Sequence, residues 1–225
     1  MKRPFLLAGI IGLGVVLCSV VLILVFPGKA GKLPDGFFTP IIAFEFMQTP
    51  QEVIDLFGPP ETIQHEYLVK AMDLGNRIDF LYMILYSAFL FAFCMKVAAL
   101  RGKGIYKLGG ILALVILAGD LLENLQLLGI TSLLGTGDFT RELFLLRVFT
   151  WQKWGGIVLV FILLLPHFMR DGRLSRAIGA FSVLSAILAP AAFLHRGVLN
   201  EIFSLSVMVV FLLMISYSFL YRRLQ

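Results

Sequence analysis

Residues 6–26, LLAGIIGLGVVLCSVVLILVF, pass from Leu6 to Phe26 without one charged side chain, and the fold turns on which solvent tolerates such a run. A helix rises about 1.5 Å per residue and the bilayer hydrocarbon is about 30 Å thick, so about 20 apolar residues make one crossing. The run is longer than the apolar core of a secretory signal, and no small-x-small cleavage pattern follows closely. It therefore reads as an uncleaved first span. Further stretches free of Lys, Arg, Asp and Glu lie at Phe80 to Met95, Leu108 to Gly119, Trp154 to Met169, Ala177 to Leu194 and Ile202 to Tyr221. With their flanks they predict spans at 5–26, 78–98, 107–130, 153–170, 175–195 and 201–221. None shows period-two alternation, so a closed barrel is excluded and helices alone can satisfy the backbone in lipid. The expected fold class is all-α, a polytopic membrane bundle of about six transmembrane helices forming one domain over 1–225.

Composition agrees. The chain is 59% hydrophobic and only 15% charged, where soluble domains carry about 25% charge. The mean hydropathy is +0.93, too apolar for a surface facing water. Lys2, Arg3, Lys96, Arg101, Lys103, Lys107, Arg170, Arg173, Arg176, Arg222 and Arg223 fall on one side of the predicted spans, with Asp171 the only acid among them. The positive-inside rule places that side, and both termini, in the cytoplasm, which predicts a multi-pass protein of the cell (inner) membrane. Topology thus accounts for the net charge of +5 without a nucleic-acid partner; the partners expected are membrane lipids and, as a further option, another membrane subunit. Cys18 and Cys94 lie inside apolar runs and read as packing residues. His65, His167 and His195 are scattered, so no metal site is expected, and no motif calls for a cofactor.

One connection is large enough to carry structure, the external amphipathic segment 27–77. Thr49-Pro50-Gln51-Glu52 is a capping box with Pro at the first helical position, and Gly58-Pro59-Pro60 stops the helix it starts. A second helix is expected from Glu61. Phe37 to Met47 is apolar except for Thr39 and Glu45 and too short to span, so it lies in the interface or folds back onto the bundle.

Chemistry concentrates in the third span. Asp120, Glu123 and Asn124 share one helical face in AGDLLENLQLLG, and the second span offers Asp79, Tyr82 and Tyr86 at i, i+3 and i+7. Counting the rise along each helix puts both sets at similar depths in the external half of the bundle. Ionisable groups in a span are costly and seek partners; Arg147 and Lys153, beside Trp151 and Trp154, are the cations within reach. The competing explanation is a polar knot that fixes helix register.

The succession FEFMQTPQE (44–52), IDFLYMILYS (78–87), LAGDLLENLQLL (117–128) and QKWGG (152–156) resembles a group of uncharacterised bacterial multi-pass membrane proteins, over Glu45 to Trp154. The resemblance brings no activity. It implies that Glu45, Thr49-Pro50, Asp79, Asp120, Glu123-Asn124 and Lys153-Trp154 form one constellation. Three functions are compatible with the residues: binding of a lipid, small ligand or partner subunit at Glu45, Asp79, Tyr82, Tyr86, Asp120, Glu123, Asn124, Arg147 and Lys153; a lipid-modifying enzyme with Asp120 or Glu123 as general base; and proton-coupled transport.

Overall fold

The computed structural model describes residues 3–170 and 172–222; Lys2, Asp171 and Arg223 of the charge count lie outside them. The described chain is helical throughout, with α1 (Leu6–Val25), α2 (Pro40–Glu45), α3 (Pro50–Phe57), α4 (Ile63–Arg101), α5 (Ile105–Ser132), α6 (Thr140–Phe168), α7 (Arg173–Leu194) and α8 (Val198–Leu220). Six of these are long and apolar enough to cross a membrane, and the protein is a multi-pass membrane helix bundle.

The long helices pack in chain order, α1 on α4, α4 on α5, α5 on α6, α6 on α7 and α7 on α8, and α8 returns to α1. The result is a ring. Its middle is filled by aromatic side chains from opposite helices: Phe211 meets Tyr86, Phe89 and Phe161 with ring centroids 5.8 to 6.0 Å apart. Toward the end that carries the chain termini, Phe5 stacks on Phe93 at 4.7 Å. There His167 Nδ1 accepts from Arg101 Nε at 3.0 Å, and Tyr217 Oη lies 3.1 Å from His167 Nε2.

The apolar runs mark where the helices are but not where they begin. Helix α4 starts at Ile63, capped by Thr62, whose hydroxyl accepts from His65 N. It continues to Gly102, a left-handed C-cap, so the amphipathic helix expected in the connection and the second span are one rod. Gly75 lets the chain leaving α1 pack against this rod, because a Cβ there would meet the Phe26 ring at 2.2 Å. Helix α6 likewise begins at Thr140, more than three turns before the apolar run. Its first turns carry Arg141, Glu142 and Arg147, which interrupt hydrophobicity without breaking a helix.

Residues 27–62 cap the end opposite the termini. Thr49 accepts from Glu52 N and Glu52 reaches back to Thr49 N, the reciprocal pair of a capping box, and α3 ends at Gly58 with φ 71°. Phe37 to Met47 folds back onto the bundle as α2 and its flanks. Phe44, Met47, Val53, Leu56 and Phe57 are buried in a second core with Leu68, Met72, Leu127, Ile130, Phe139, Leu143 and Leu146.

Candidate functional site

Two neighbouring helices carry the same spacing of polar residues. On α5, Asp120, Glu123 and Asn124 stand at i, i+3 and i+4; on α6, Thr150, Lys153 and Trp154 do the same. Antiparallel packing sets these stripes face to face. Asp120 meets Lys153, and one turn along α5 Glu123 meets Thr150, one turn back along α6. Gly156 lets the helices approach, since a Cβ there would stand 2.6 Å from Ile116 Cγ1.

Lys153 is the centre. Its Nζ lies 2.7 Å from Glu123 Oε2, 3.2 Å from Glu45 Oε2 and 3.4 Å from Asp120 Oδ1. Glu45 comes from the end of α2, where Trp154 Nε1 donates to its Oε2 at 3.1 Å. The Thr150 hydroxyl has Glu123 Oε1 at 3.0 Å and the Glu45 carbonyl oxygen at 3.2 Å; with one proton it donates to one of them at a time. Tyr86 donates to Asp120 Oδ2 at 2.5 Å, and Asn124 Nδ2 donates to Asp79 Oδ2 at 2.7 Å. Tyr82 lies against Tyr86 with centroids 5.3 Å apart.

Nearly all of the residues named from sequence therefore meet in one network of four elements. Arg147 does not join it. Six residues before Lys153, it projects from a different face of α6 and sits over the Phe193 ring at 5.9 Å. Among the described residues, Lys153 is the single cation found at these carboxylates.

Some participants escaped sequence reading. Thr150 is a residue type too common in spans to single out, although its i−3 relation to Lys153 was a usable signal. Asn76, one turn from Asp79 on the same face of α4, is 1% exposed. Its backbone oxygen lies 3.4 Å from Asn124 Nδ2, and its own Nδ2 has no hydrogen-bond acceptor among the described residues.

The cap is tied down outside the network as well. Glu201 Oε1 on α8 accepts from the backbone N–H of Phe38 and Thr39 at 3.0 and 2.8 Å. Arg196 donates to the Phe46 carbonyl at 2.9 Å and to both carboxylate oxygens of Glu52. Burial pushes the Glu52 carboxyl up, but the Arg196 bonds, with the backbone N–H of Gln48 and Thr49, outweigh it and hold it below the usual carboxylate value.

Chemically, the network offers acceptor oxygens in excess. Both oxygens of Asp120 and both of Glu123 face donors, whereas Asp79 Oδ1 and Glu45 Oε1 have none among the described residues. Asp79, Tyr82 and Glu45 are partly exposed, while Glu123 is 0% exposed. The Lys153 ammonium lies between Asp120 Oδ1 and Glu123 Oε2. Comparison of the chain with protein-family models, with curated proteins and with solved structures gives no match.

Proposed function

We propose that this multi-pass protein is a binding protein of the cell (inner) membrane, with both termini cytoplasmic, that holds a small ligand or lipid headgroup at the Lys153 network beneath an external cap. One observation carries the reading: four carboxylates, Glu45, Asp79, Asp120 and Glu123, converge where the described residues provide one ammonium. A knot that only fixes register needs one acid for one base, and each further carboxylate taken out of water costs several kcal/mol. Retaining three more than the lysine can balance is intelligible where a proton donor or cation from outside the chain completes the set.

The enzyme reading is less well supported, because Asp120 and Glu123 are both engaged by Lys153 and Glu123 is fully enclosed. Transport is less well supported too, because Phe89, Phe93, Phe161 and Phe211 fill the ring between the network and the end with the termini. Native mass spectrometry of the purified protein tests the binding reading. A non-protein mass should travel with the parent and be lost from Glu123→Gln, which keeps most of the hydrogen bonding. A parent that carries nothing, or a Glu123→Gln variant that retains the same mass, refutes it.

A further inference from the structure

Arg147 is the cation that the network leaves out, and its surroundings are of another kind. Counted at about 1.5 Å per residue from Phe168, where α6 ends beside the termini, Arg147 stands about 31 Å along the helix. On α7, Phe193 stands about 30 Å from Arg173. Both therefore reach the cap-side edge of a hydrocarbon layer about 30 Å thick. The surface there faces lipid. Phe144, Val148, Leu159 and Ile162 form one stripe of α6 and are 67%, 45%, 51% and 44% exposed. Arg147, itself exposed, borders that stripe on the side of α7.

The guanidinium is held but not neutralised. It sits over the Phe193 ring at 5.9 Å, and Trp151, one turn along α6, meets the same ring edge-on at 5.1 Å. Among the described residues Arg147 has no ion pair and no side-chain hydrogen bond. The acids of this end are turned elsewhere. Glu142, the one acid of α6, lies toward α5, where a Cβ on Gly129 would stand 3.6 Å from its Cγ. Helix α7 carries no acid from Arg173 to Leu194, and Glu201 at the start of α8 is bonded to the cap amides. A guanidinium lying over a ring engages its face and keeps the N–H groups of its edge, a planar fork that fits the oxygens of a phosphate. An unpaired charge at the edge of the hydrocarbon is costly until such an anion meets it.

We propose that Arg147 and Phe193, at the seam of α6 and α7, hold the phosphate of an anionic phospholipid in the cap-side leaflet. The site is separate from the Lys153 network, which faces α5 from another face of α6, and it does not rest on a ligand there. The guanidinium donates from its edge to two phosphate oxygens. Phe193 fixes its plane, and an acyl chain descends along Val148, Leu159 and Ile162. Charge selects the headgroup. With no carboxylate at the seam, the ammonium of a zwitterionic lipid gains no partner and offsets the phosphate that the arginine attracts, whereas a glycerol headgroup leaves the phosphate charge whole.

The chain carries its own reporter, since both of its tryptophans, Trp151 and Trp154, stand on α6 at this end. Lipid gathered by the basic residues near the termini lies beyond their reach. The full chain is reconstituted in bilayers of phosphatidylglycerol and phosphatidylcholine with matched acyl chains, one of the two dibrominated high in its chain, and quenching of tryptophan fluorescence reads which lipid sits beside Trp151. Phosphatidylglycerol should be favoured about fivefold, the factor that about 1 kcal/mol for one cation at an anionic lipid surface produces. Arg147→Gln, which breaks no ion pair, should bring the two lipids to parity. Phe193→Leu, which keeps an apolar side chain at the seam but removes the π face, should lower the preference about twofold, the effect of about 0.5 kcal/mol of cation–π contact. Soluble glycerol phosphate, which offers the phosphate without the chains, should leave the preference in place. Equal quenching by the two lipids in the parent, a preference unchanged in either variant, or its loss to soluble glycerol phosphate would each overturn the proposal.

Discussion

Replacing Lys153 by Met removes the one ammonium from the network while nearly conserving side-chain length and volume, so the loss reports on charge more than on packing. With an effective dielectric of about 20, a pair 2.7 Å apart, the Glu123 distance, attracts by about 6 kcal/mol. Desolvation opposes this by several kcal/mol per ion, so the intact pair contributes little net stability. Breaking it is another matter. The buried carboxylates of Asp120 and Glu123 are left without their cation, at a cost of about 3–5 kcal/mol. For a chain of this size that is a fall in Tm of about 10 °C. The assay is built into the protein, since Cys18 and Cys94 are buried free thiols and a thiol-reactive fluorophore reports their exposure on heating in micelles. A loss below about 1 kcal/mol would refute the charge argument and leave Lys153 as a packing residue.

Thr49→Ala removes the cap of α3 and should cost about 1 kcal/mol, seen as faster amide exchange at Gln51 to Phe57 with the bundle helices unaffected. Glu52 is held below the usual carboxylate value by Arg196, so its contribution is present above the unfolded value and is lost as pH falls through the folded one. Arg196→Gln should remove about 1 kcal/mol at neutral pH, discounted for the partial exposure of the pair, and flatten that acid limb of the thermal stability profile. Gly75→Leu drives a side chain into the Phe26 ring and should cost about 1–3 kcal/mol or more by overpacking, detectable in the same thiol assay. For orientation, Lys103→Cys should react with an impermeant thiol reagent only from the cytoplasmic face; labelling of intact cells would reverse the assignment.

The spans were legible because lipid imposes one requirement, a continuous apolar run, that a sequence cannot disguise. The ends of helices were less so. In RELFLLRVFTWQKW (141–154) the charges end the apolar run, yet α6 already begins at Thr140, since Arg and Glu are good helix formers and long side chains reach the interface from inside a span. That one ambiguity decided which cation could be identified. With the helix begun near residue 153, Arg147 and Lys153 both look like residues of its entrance; with the helix running from residue 140, six positions separate them by roughly a third of a turn modulo the pitch, and only one can face α5. Glu45 was ambiguous for a related reason. Its apolar neighbours suit an interfacial helix and a fold-back equally, and what selects the fold-back is the apolar surface that α4, α5 and α6, distant in sequence, present to Phe44 and Met47.

The cap and the network explain each other. The apolar burial of Phe44, Met47, Val53, Leu56 and Phe57 is worth about 1.5–3 kcal/mol per side chain, enough to hold the segment on the bundle without help from Glu45. The Glu45 carboxylate is therefore not needed as a fastener. It adds a negative charge to a place that already has three, and fixing it there opposes part of what the burial supplies. A segment whose packing is sufficient, yet which places a carboxylate within 3.2 Å of an already shared ammonium, is arranged for charge rather than for attachment. Glu45→Gln should then leave the cap seated and Tm unchanged or higher, while any cationic ligand of the network binds more weakly. Loss of the folded cap in that variant, seen as exchange of the Phe38 and Thr39 amides that Glu201 holds, would show that Glu45 is a fastener after all.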